Sequence, residues 1–212
     1  MPTAREALLD AALDALAHRP WSTVRMADLA AAARVSRQTL YNEFGSKEGL
    51  ARALVRREAD AYLAGVRRLL AAPAPPGRNL VDLAEWIVTR AAARPVLRAL
   101  LTGAWSERFP APRPARPGAR QAAAPAQRRA DEGPPAPGEL VAAAVARAGQ
   151  ERAAGCELAV RLALSHVVAP EPPGADGQWV EPDSWSPITP RMTSVIETIL
   201  SVETRSPRNT MP

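Results

Sequence analysis

Residues 35–50 have the sequence VSRQTLYNEFGSKEGL, and this stretch decides how the N-terminal part of the chain folds. Ser36 is a favourable helix N-cap, and Leu40 and Phe44 follow at a spacing of four residues, which predicts a short helix with one apolar face. Gly45 suits the left-handed position that ends such a helix. The stretch therefore predicts one short helix with its own start and end signals. Two other helix starts carry similar signals, a capping box at Thr3 and Glu6 and an N-cap at Ser46.

A second short helix is predicted just before it, from about residues 22–24 to Ala33, because Met26, Leu29 and Ala30 recur at helical spacings. Two short helices joined by about three residues match the helix-turn-helix layout, whose second helix enters the major groove of DNA. An ordinary helical hairpin with solvated polar side chains fits the same spacing. The pattern alone leaves these two interpretations open.

The predicted second helix of this pair turns polar side chains outward, namely Arg37, Gln38, Tyr41 and Asn42. Arginine can pair with guanine, and glutamine or asparagine can pair with adenine, in the major groove. These residue types therefore favour a surface that contacts the edges of bases.

Together with residues 26–33 (MADLAAAA), the stretch closely resembles the tetracycline-repressor (TetR) family. The aromatic pair Tyr41 and Phe44, followed by residues 46–48 (SKE) and Leu50, is the most specific part of the resemblance, which extends over about residues 5–63. It implies an all-helical homodimer with three N-terminal helices that bind DNA. It also implies a C-terminal domain that dimerises and binds a small-molecule effector.

The resemblance assigns roles to individual positions. By it, base contacts fall to Arg37, Gln38, Thr39 and Asn42, and phosphate contacts fall to Ser36, Tyr41 and Lys47, with Arg25 as a further phosphate contact. For Lys47 the physical argument agrees, because backbone N–H groups and the helix dipole at a helix start attract an anion.

Two positions depart from the family pattern. Arg34 stands where the turn usually carries glycine, and a left-handed backbone there would cost roughly 1 kcal/mol. Glu43 stands where a neutral or basic residue often faces the DNA backbone. It would either repel DNA or form an ion pair with Lys47 four residues later, and the ion pair is the favoured interpretation.

Length and composition fit this interpretation. The chain has 212 residues, of which 47% are hydrophobic and only 4% aromatic, and the abundance of alanine and leucine predicts an all-α fold. Its formal net charge of +5 comes almost entirely from arginine, which suits phosphate, and Lys47 is the only lysine. The excess is too modest to prove DNA binding.

We expect two domains: a three-helix DNA-binding domain over residues 1–48, and a helical dimerisation and effector-binding domain over 49–212. A long fourth helix that runs to about Ala71 joins them. Further helices are predicted at residues 80–94, 96–105, 139–148, 152–168 and 189–200. Residues 106–138 are rich in proline, alanine and arginine and predict a flexible loop, with contact to nucleic acid as the alternative.

Four residues are candidates for the effector site, namely Trp86, Trp105, Arg161 and His166. The two tryptophans could line an apolar pocket or simply belong to the core. His166 fits either an effector or pH-sensing role or a hydrogen bond in an interface. Residues 155–169 are apolar almost all round, and by resemblance this helix pairs with the last helix across the dimer interface.

Other classes of protein are less well supported. His18 and His166 are the only histidines, and no metal-spaced cluster, phosphate loop or nucleophile motif appears, so we expect neither an enzyme nor a cofactor. The lone Cys156 is interpreted as a small buried residue rather than a redox sensor. We see no signal peptide or membrane-spanning run, and expect a cytoplasmic bacterial protein associated with the nucleoid through DNA.

The resulting hypothesis is a repressor that binds double-stranded DNA at a palindromic operator as a dimer. An unidentified small-molecule effector would shift the long fourth helix and so release the DNA. The alternative is a helical homodimeric interaction module whose DNA-binding head has degenerated, an interpretation that the departures at Arg34 and Glu43 keep open.

Overall fold

The computed structural model describes residues 3–75, 77–115 and 133–169, and over these residues the fold is all-α, as predicted, with no strand. The α-helices in this part of the chain are α1 (Ala4–His18), α2 (Met26–Ala32), α3 (Arg37–Phe44), α4 (Lys47–Ala71), α5 (Arg78–Ala93), α6 (Pro95–Thr102), α7 (Pro137–Ala148) and α8 (Ala153–Val168). The predicted last helix at 189–200 lies outside the described residues.

The chain divides into two compact units. The first comprises Met1–Ala61 and Ala99–Pro137, and the second comprises Tyr62–Arg98 and Gly138–Pro212. Helix α4 contributes residues to both units, in line with the predicted long fourth helix. The first unit also includes residues that follow α6, which the sequence analysis places in the C-terminal domain.

Helix α1 begins where the sequence predicts, at a capping box. The Thr3 side chain accepts a hydrogen bond from the Glu6 backbone N–H, and the Glu6 carboxylate accepts one from the Thr3 N–H at 2.8 Å. These hydrogen bonds from Thr3 lower the pKa of the Glu6 carboxyl. The helix ends at His18, before Arg19 adopts an extended conformation ahead of Pro20.

Helix α2 begins later than predicted. Residues Trp21–Thr23 form a separate 3₁₀ turn instead, and the helix starts only at Met26. Thr23 closes this turn with a hydrogen bond from its hydroxyl to the Pro20 carbonyl at 2.9 Å. The turn places the Trp21 side chain in the core, where it is 5% exposed. A helix that began at residues 22–24 would not account for this burial.

The end of α3 and the start of α4 follow the predicted signals. Gly45 has a φ of +69° and donates its N–H to the Tyr41 carbonyl at 2.8 Å. Ser46 caps α4 by accepting a hydrogen bond from the Gly49 N–H at 3.1 Å. Gly49 also allows close approach of the chain, because a Cβ there would overlap the Phe44 carbonyl.

In the second unit, α5 packs against α8. The core-facing residues of these two helices include Leu83, Ala84, Ile87, Ala91, Cys156, Ala159, Val160 and Ala163. Small side chains on α8 let the two helix backbones come close, so the apolar character predicted for residues 155–169 serves packing against α5.

Asn79, in the first turn of α5, closes the end of α4. Its side-chain amide donates to the Leu69 carbonyl at 2.8 Å and to the Ala72 carbonyl at 2.7 Å. The last carbonyls of a helix have no partner within the helix itself. Asn79 therefore adds donors from α5 at this helix end, where the Ala72 N–H also donates to the Leu69 carbonyl at 3.2 Å.

Residues 103–115, which follow α6, are irregular, and a few of their side chains are buried. Phe109 and Ala115 are buried. A tight turn joins Ser106 to Phe109, whose N–H donates to the Ser106 carbonyl at 3.1 Å. The sequence does not indicate this packing, because the buried side chains are few and isolated and form no periodic pattern.

Candidate nucleic-acid interface

The turn between α2 and α3 has a left-handed residue at its centre. Arg34 has a φ of +55°, and within the described residues it is the only non-glycine residue with a positive φ. The next N–H, that of Val35, donates to the Ala30 carbonyl at 2.9 Å. The conformation expected at this position is therefore confirmed, although arginine stands in place of the usual glycine.

The outward face of α3 carries the predicted base-contacting residues. Arg37, Gln38 and Asn42 are exposed, and Thr39 is half-buried. Gln38 and Asn42 lie one turn apart, and the Gln38 side-chain N–H donates to the Asn42 Oδ1 at 2.8 Å. The Thr39 hydroxyl instead shares a 2.8 Å hydrogen bond with the Ser36 hydroxyl at the helix start.

The predicted phosphate-contacting residues lie around this face. Arg25 and Ser36 are exposed, and Tyr41 is exposed over 48% of its surface. Ser36 also caps α3, because its Oγ accepts a hydrogen bond from the Thr39 N–H at 3.0 Å. Tyr41 is one of two large apolar side chains that are exposed among the described residues, the other being Val168, and its position beside polar groups suits contact with a partner.

Lys47 is held in place by residues that precede α2. Its ammonium donates to the Ser22 carbonyl at 3.2 Å and lies 5.3 Å from the centre of the Trp21 ring. Partial burial lowers the pKa of the Lys47 ammonium. The sequence interpretation missed Trp21, because no periodic pattern marks a residue that sits between two helices.

Glu43 does not pair with Lys47, so that prediction is wrong. Its carboxylate instead accepts a hydrogen bond from the Arg5 guanidinium at 3.4 Å, and its backbone carbonyl accepts another at 3.2 Å. The same guanidinium lies 4.6 Å from the centre of the Phe44 ring. Glu43 therefore ties α3 to α1, and its charge is compensated by arginine.

The residues that form this interface match a known protein family. The family model described as bacterial regulatory proteins, tetR family, matches residues 8–54, a span that contains α2, the turn and α3. Over these residues the N-terminal part of the chain is similar to the TetR family.

A curated relative has detectable sequence identity to about half of the chain. The HTH-type transcriptional regulator AlkX from Mycobacterium tuberculosis (strain ATCC 25618 / H37Rv) is 39% identical over 106 residues. The match covers 47% of this chain and 47% of the relative, so the chain spans about half the length of the curated relative that it matches.

A solved structure extends the similarity of fold. The TetR family repressor AlkX from Dietzia sp. strain DQ12-45-1b, implicated in biodegradation of n-alkanes, covers 96% of this chain with a TM-score of 0.51. The chain likewise covers 96% of that protein, and the two sequences are 22% identical. At this identity the match shows similarity of fold alone.

The four candidate effector residues lie in different surroundings. Trp105 belongs to the first unit and packs against Phe109, with ring centres 6.0 Å apart. The other three belong to the second unit, where Trp86 and His166 are half-buried and Arg161 is exposed. Arg161 forms an ion pair with Glu157 at 2.7 Å, one turn earlier on α8. Trp105 therefore belongs to a different unit from the other three.

Trp86 has a close aromatic neighbour in the second unit. The Tyr62 ring is stacked on Trp86 with centres 6.0 Å apart and an interplanar angle of 16°. Trp86 also lies against Gly65, where a Cβ would overlap its ring. The Tyr62 hydroxyl is buried and has no hydrogen-bond partner within the described residues, and burial raises its pKa.

Two further observations concern other kinds of site. Among residues 3–75, 77–115 and 133–169, no group of three or more His, Cys, Asp or Glu side chains is placed to hold a metal ion. None of the helices in the same residues is long and apolar enough to span a membrane.

Proposed function

We propose that this chain is a sequence-specific transcriptional regulator that binds a palindromic DNA operator as a homodimer. The observation that carries the proposal is the outward face of α3, where Gln38 and Asn42 are exposed beside Arg37 within a TetR-family helix-turn-helix. Amide and guanidinium groups match adenine and guanine edges in the major groove.

In this proposal α3 lies in the major groove and its surroundings hold the DNA backbone. Base contacts come from Arg37, Gln38, Thr39 and Asn42, and phosphate contacts come from Arg25, Ser36, Tyr41 and Lys47. Phosphate contacts fix the orientation of the protein, whereas base contacts select the sequence. The Arg5–Glu43 ion pair supports this arrangement, because it compensates the one acidic side chain on α3.

Dimerisation supplies the second half of the recognition. In the proposal the two-fold axis of the homodimer coincides with that of the operator, so each subunit contacts one half-site. We place the dimer contact on α8 and the helix expected at 189–200. The protein would act in the cytoplasm, bound to the nucleoid.

We further propose that the second unit binds a small apolar effector beside Trp86. The half-buried Trp86 ring, stacked on Tyr62, offers apolar surface. The Tyr62 hydroxyl, which has no hydrogen-bond partner among the described residues, offers one donor to a polar atom of the ligand. A long-chain hydrocarbon or a product made from it is a reasonable first candidate, because the similar AlkX from Dietzia is implicated in n-alkane biodegradation. The effector must bind the DNA-free state more tightly in order to release DNA.

The core of the proposal is tested by binding of the full chain to the promoter DNA of its own and neighbouring genes. We expect specific binding to a fragment with an inverted repeat, measured by gel shift with excess unrelated DNA as competitor. The control is the variant Arg37→Ala with Asn42→Ala, which should lose preference for that fragment. Absence of specific binding to every such fragment would favour the alternative, a dimeric interaction module with a degenerate DNA-binding head.

A further inference from the structure

The segment after α6 makes contacts that the DNA-binding role described above does not use. We refer to residues 103–115 as the strap. Within the first unit, its Arg108 guanidinium donates to the Leu16 carbonyl at 3.3 Å and to the Ala17 carbonyl at 3.0 Å. These are carbonyls of the last turn of α1, where a helix leaves its acceptors unpaired and favours a positive charge.

The strap also contacts the turn between α1 and α2. The Arg108 carbonyl accepts a hydrogen bond from the Trp21 N–H at 2.7 Å. The Phe109 ring meets the Trp21 ring edge-on, with centres 5.6 Å apart and an interplanar angle of 79°. Both rings are buried, at 5% exposure each, so Trp21 is fixed by the strap through its backbone and its side chain together.

The opposite partner of Trp21 is Lys47. The Lys47 ammonium lies over the Trp21 ring and is bonded to the carbonyl of the next residue, Ser22. A lysine side chain is flexible and carries substantial rotamer entropy. A surface that already holds the side chain in one orientation reduces the entropy that is lost when its ammonium contacts a phosphate. The chain of contacts therefore runs from Arg108 and Phe109 to Trp21, and from Trp21 to Lys47.

We propose that Arg108 and Phe109 are positioning residues for DNA binding, which act through Trp21 to hold the Lys47 ammonium towards a DNA phosphate. The inference rests on the proposed function, because it takes Lys47 as a phosphate contact. It extends that function to a segment remote from α3 in sequence, which need not touch DNA at all.

The position of Lys47 can be measured without DNA. Reductive methylation with ¹³C-formaldehyde labels Lys47, the only lysine, and the terminal amine while keeping the positive charge. Because Lys47 lies over the Trp21 ring, its methyl resonance should be shifted upfield from that of free dimethyl-lysine. The resonance is assigned by its loss in Lys47→Arg. We expect Phe109→Leu to move it towards the free value, and an unmoved resonance in folded Phe109→Leu would overturn the proposal.

The consequence for DNA is measured on the same variants. Phe109→Leu should weaken binding about two- to fivefold, the range expected for a cation–π contact at a partly exposed site. The loss should disappear on a Lys47→Ala background, because the two residues then act on one contact. A loss of equal size on both backgrounds would show a general structural effect and overturn the positioning role.

Arg108→Ala provides a second variant on an exposed side chain, in case Phe109→Leu fails to fold. Its matched control is Arg113→Ala, which removes a positive charge from the same strap and keeps the backbone carbonyl that accepts a hydrogen bond from Arg52. We expect Arg108→Ala to move the Lys47 resonance and weaken DNA binding, and Arg113→Ala to do neither. Equal loss of affinity in both variants, with the resonance unmoved, would overturn the proposal in favour of direct contact between the strap and DNA.

If no DNA is bound at all, the proposed function fails, whereas the resonance still tests whether the strap positions Lys47.

Discussion

The side-chain amide of Gln38 donates a hydrogen bond to the Oδ1 of Asn42, 2.8 Å away and one helical turn further along α3. This bond fixes which way both amides face. Asn42 keeps its N–H₂ group as a donor for DNA, and Gln38 keeps its carbonyl oxygen as an acceptor. The two residues therefore present a defined donor and acceptor to the major groove before DNA arrives.

This pairing predicts that Gln38 and Asn42 act as one recognition element. Asn42→Ala should reduce discrimination against the wrong base at one operator position by about 1–3 kcal/mol. Gln38→Ala should affect the same or the adjacent position, and the double variant should cost less than the sum of the two single variants. Binding to operators changed one base pair at a time, at fixed salt, measures this. Fully additive losses at unrelated positions would contradict it.

Lys47 is expected to contribute to affinity without selecting sequence. Lys47→Ala should weaken binding to specific and unrelated DNA by similar factors, because a phosphate contact carries no sequence information. It should also reduce the slope of log K against log salt concentration by about 0.9, the value for one phosphate contact on duplex DNA. Titrations by fluorescence anisotropy between low and moderate salt provide both quantities.

The control for that experiment is Lys47→Arg, which keeps the charge and should retain the wild-type slope. An unchanged affinity and slope in Lys47→Ala would show that the ammonium, although exposed in part, serves only Ser22 and Trp21. The assignment of Lys47 to phosphate would then be withdrawn.

The left-handed backbone at Arg34 makes this position sensitive to the shape of the side chain. Arg34→Val should lower the free energy of unfolding by about 1–2 kcal/mol, because β-branched residues are poorly tolerated at positive φ. Arg34→Asn should have little effect, since asparagine adopts this conformation more readily. Urea unfolding followed by circular dichroism provides the comparison, with Arg34→Gln as the control for loss of charge. A valine variant as stable as the glutamine variant would contradict the argument.

Cys156 is expected to be chemically inert in the folded protein. Its thiol is buried, its Sγ lies 3.9 Å from the Ala144 carbonyl, and burial raises its pKa. The thiolate is the reactive form, so a raised pKa and burial both slow reaction. A thiol-reactive dye should therefore label the native protein far more slowly than the protein in urea. Rapid labelling of the native protein would revive the redox-sensor interpretation.

The parts of the fold that depend on local chemistry could be predicted from sequence. Thr3, Ser36 and Ser46 act as helix caps as expected, and Gly45 and Arg34 adopt the left-handed conformations expected of them. Each of these features depends on a few neighbouring residues, which a single sequence displays directly. The exposed face of α3 follows from helical periodicity in the same way.

The contacts that could not be predicted join residues distant in sequence. Two basic residues are candidate partners for the Glu43 carboxylate, and the one nearer in sequence, Lys47, does not pair with it. Its partner Arg5 lies 38 residues away on α1. Trp21 and Phe109 likewise meet only through the tertiary fold, and neither belongs to a periodic pattern. Local spacing therefore indicates which elements form, and cannot indicate which side chains meet.

The double hydrogen bond from Asn79 has a practical consequence for engineering. Because Asn79 donates to the carbonyls of Leu69 and Ala72 from α5, the closure of α4 does not depend on the residues that follow Pro73 in the connection. Insertion of a flexible peptide after Pro73 should then be tolerated without unravelling the helix. That connection is a suitable place for an internal affinity tag or a fluorescent reporter, which would leave both chain ends unmodified.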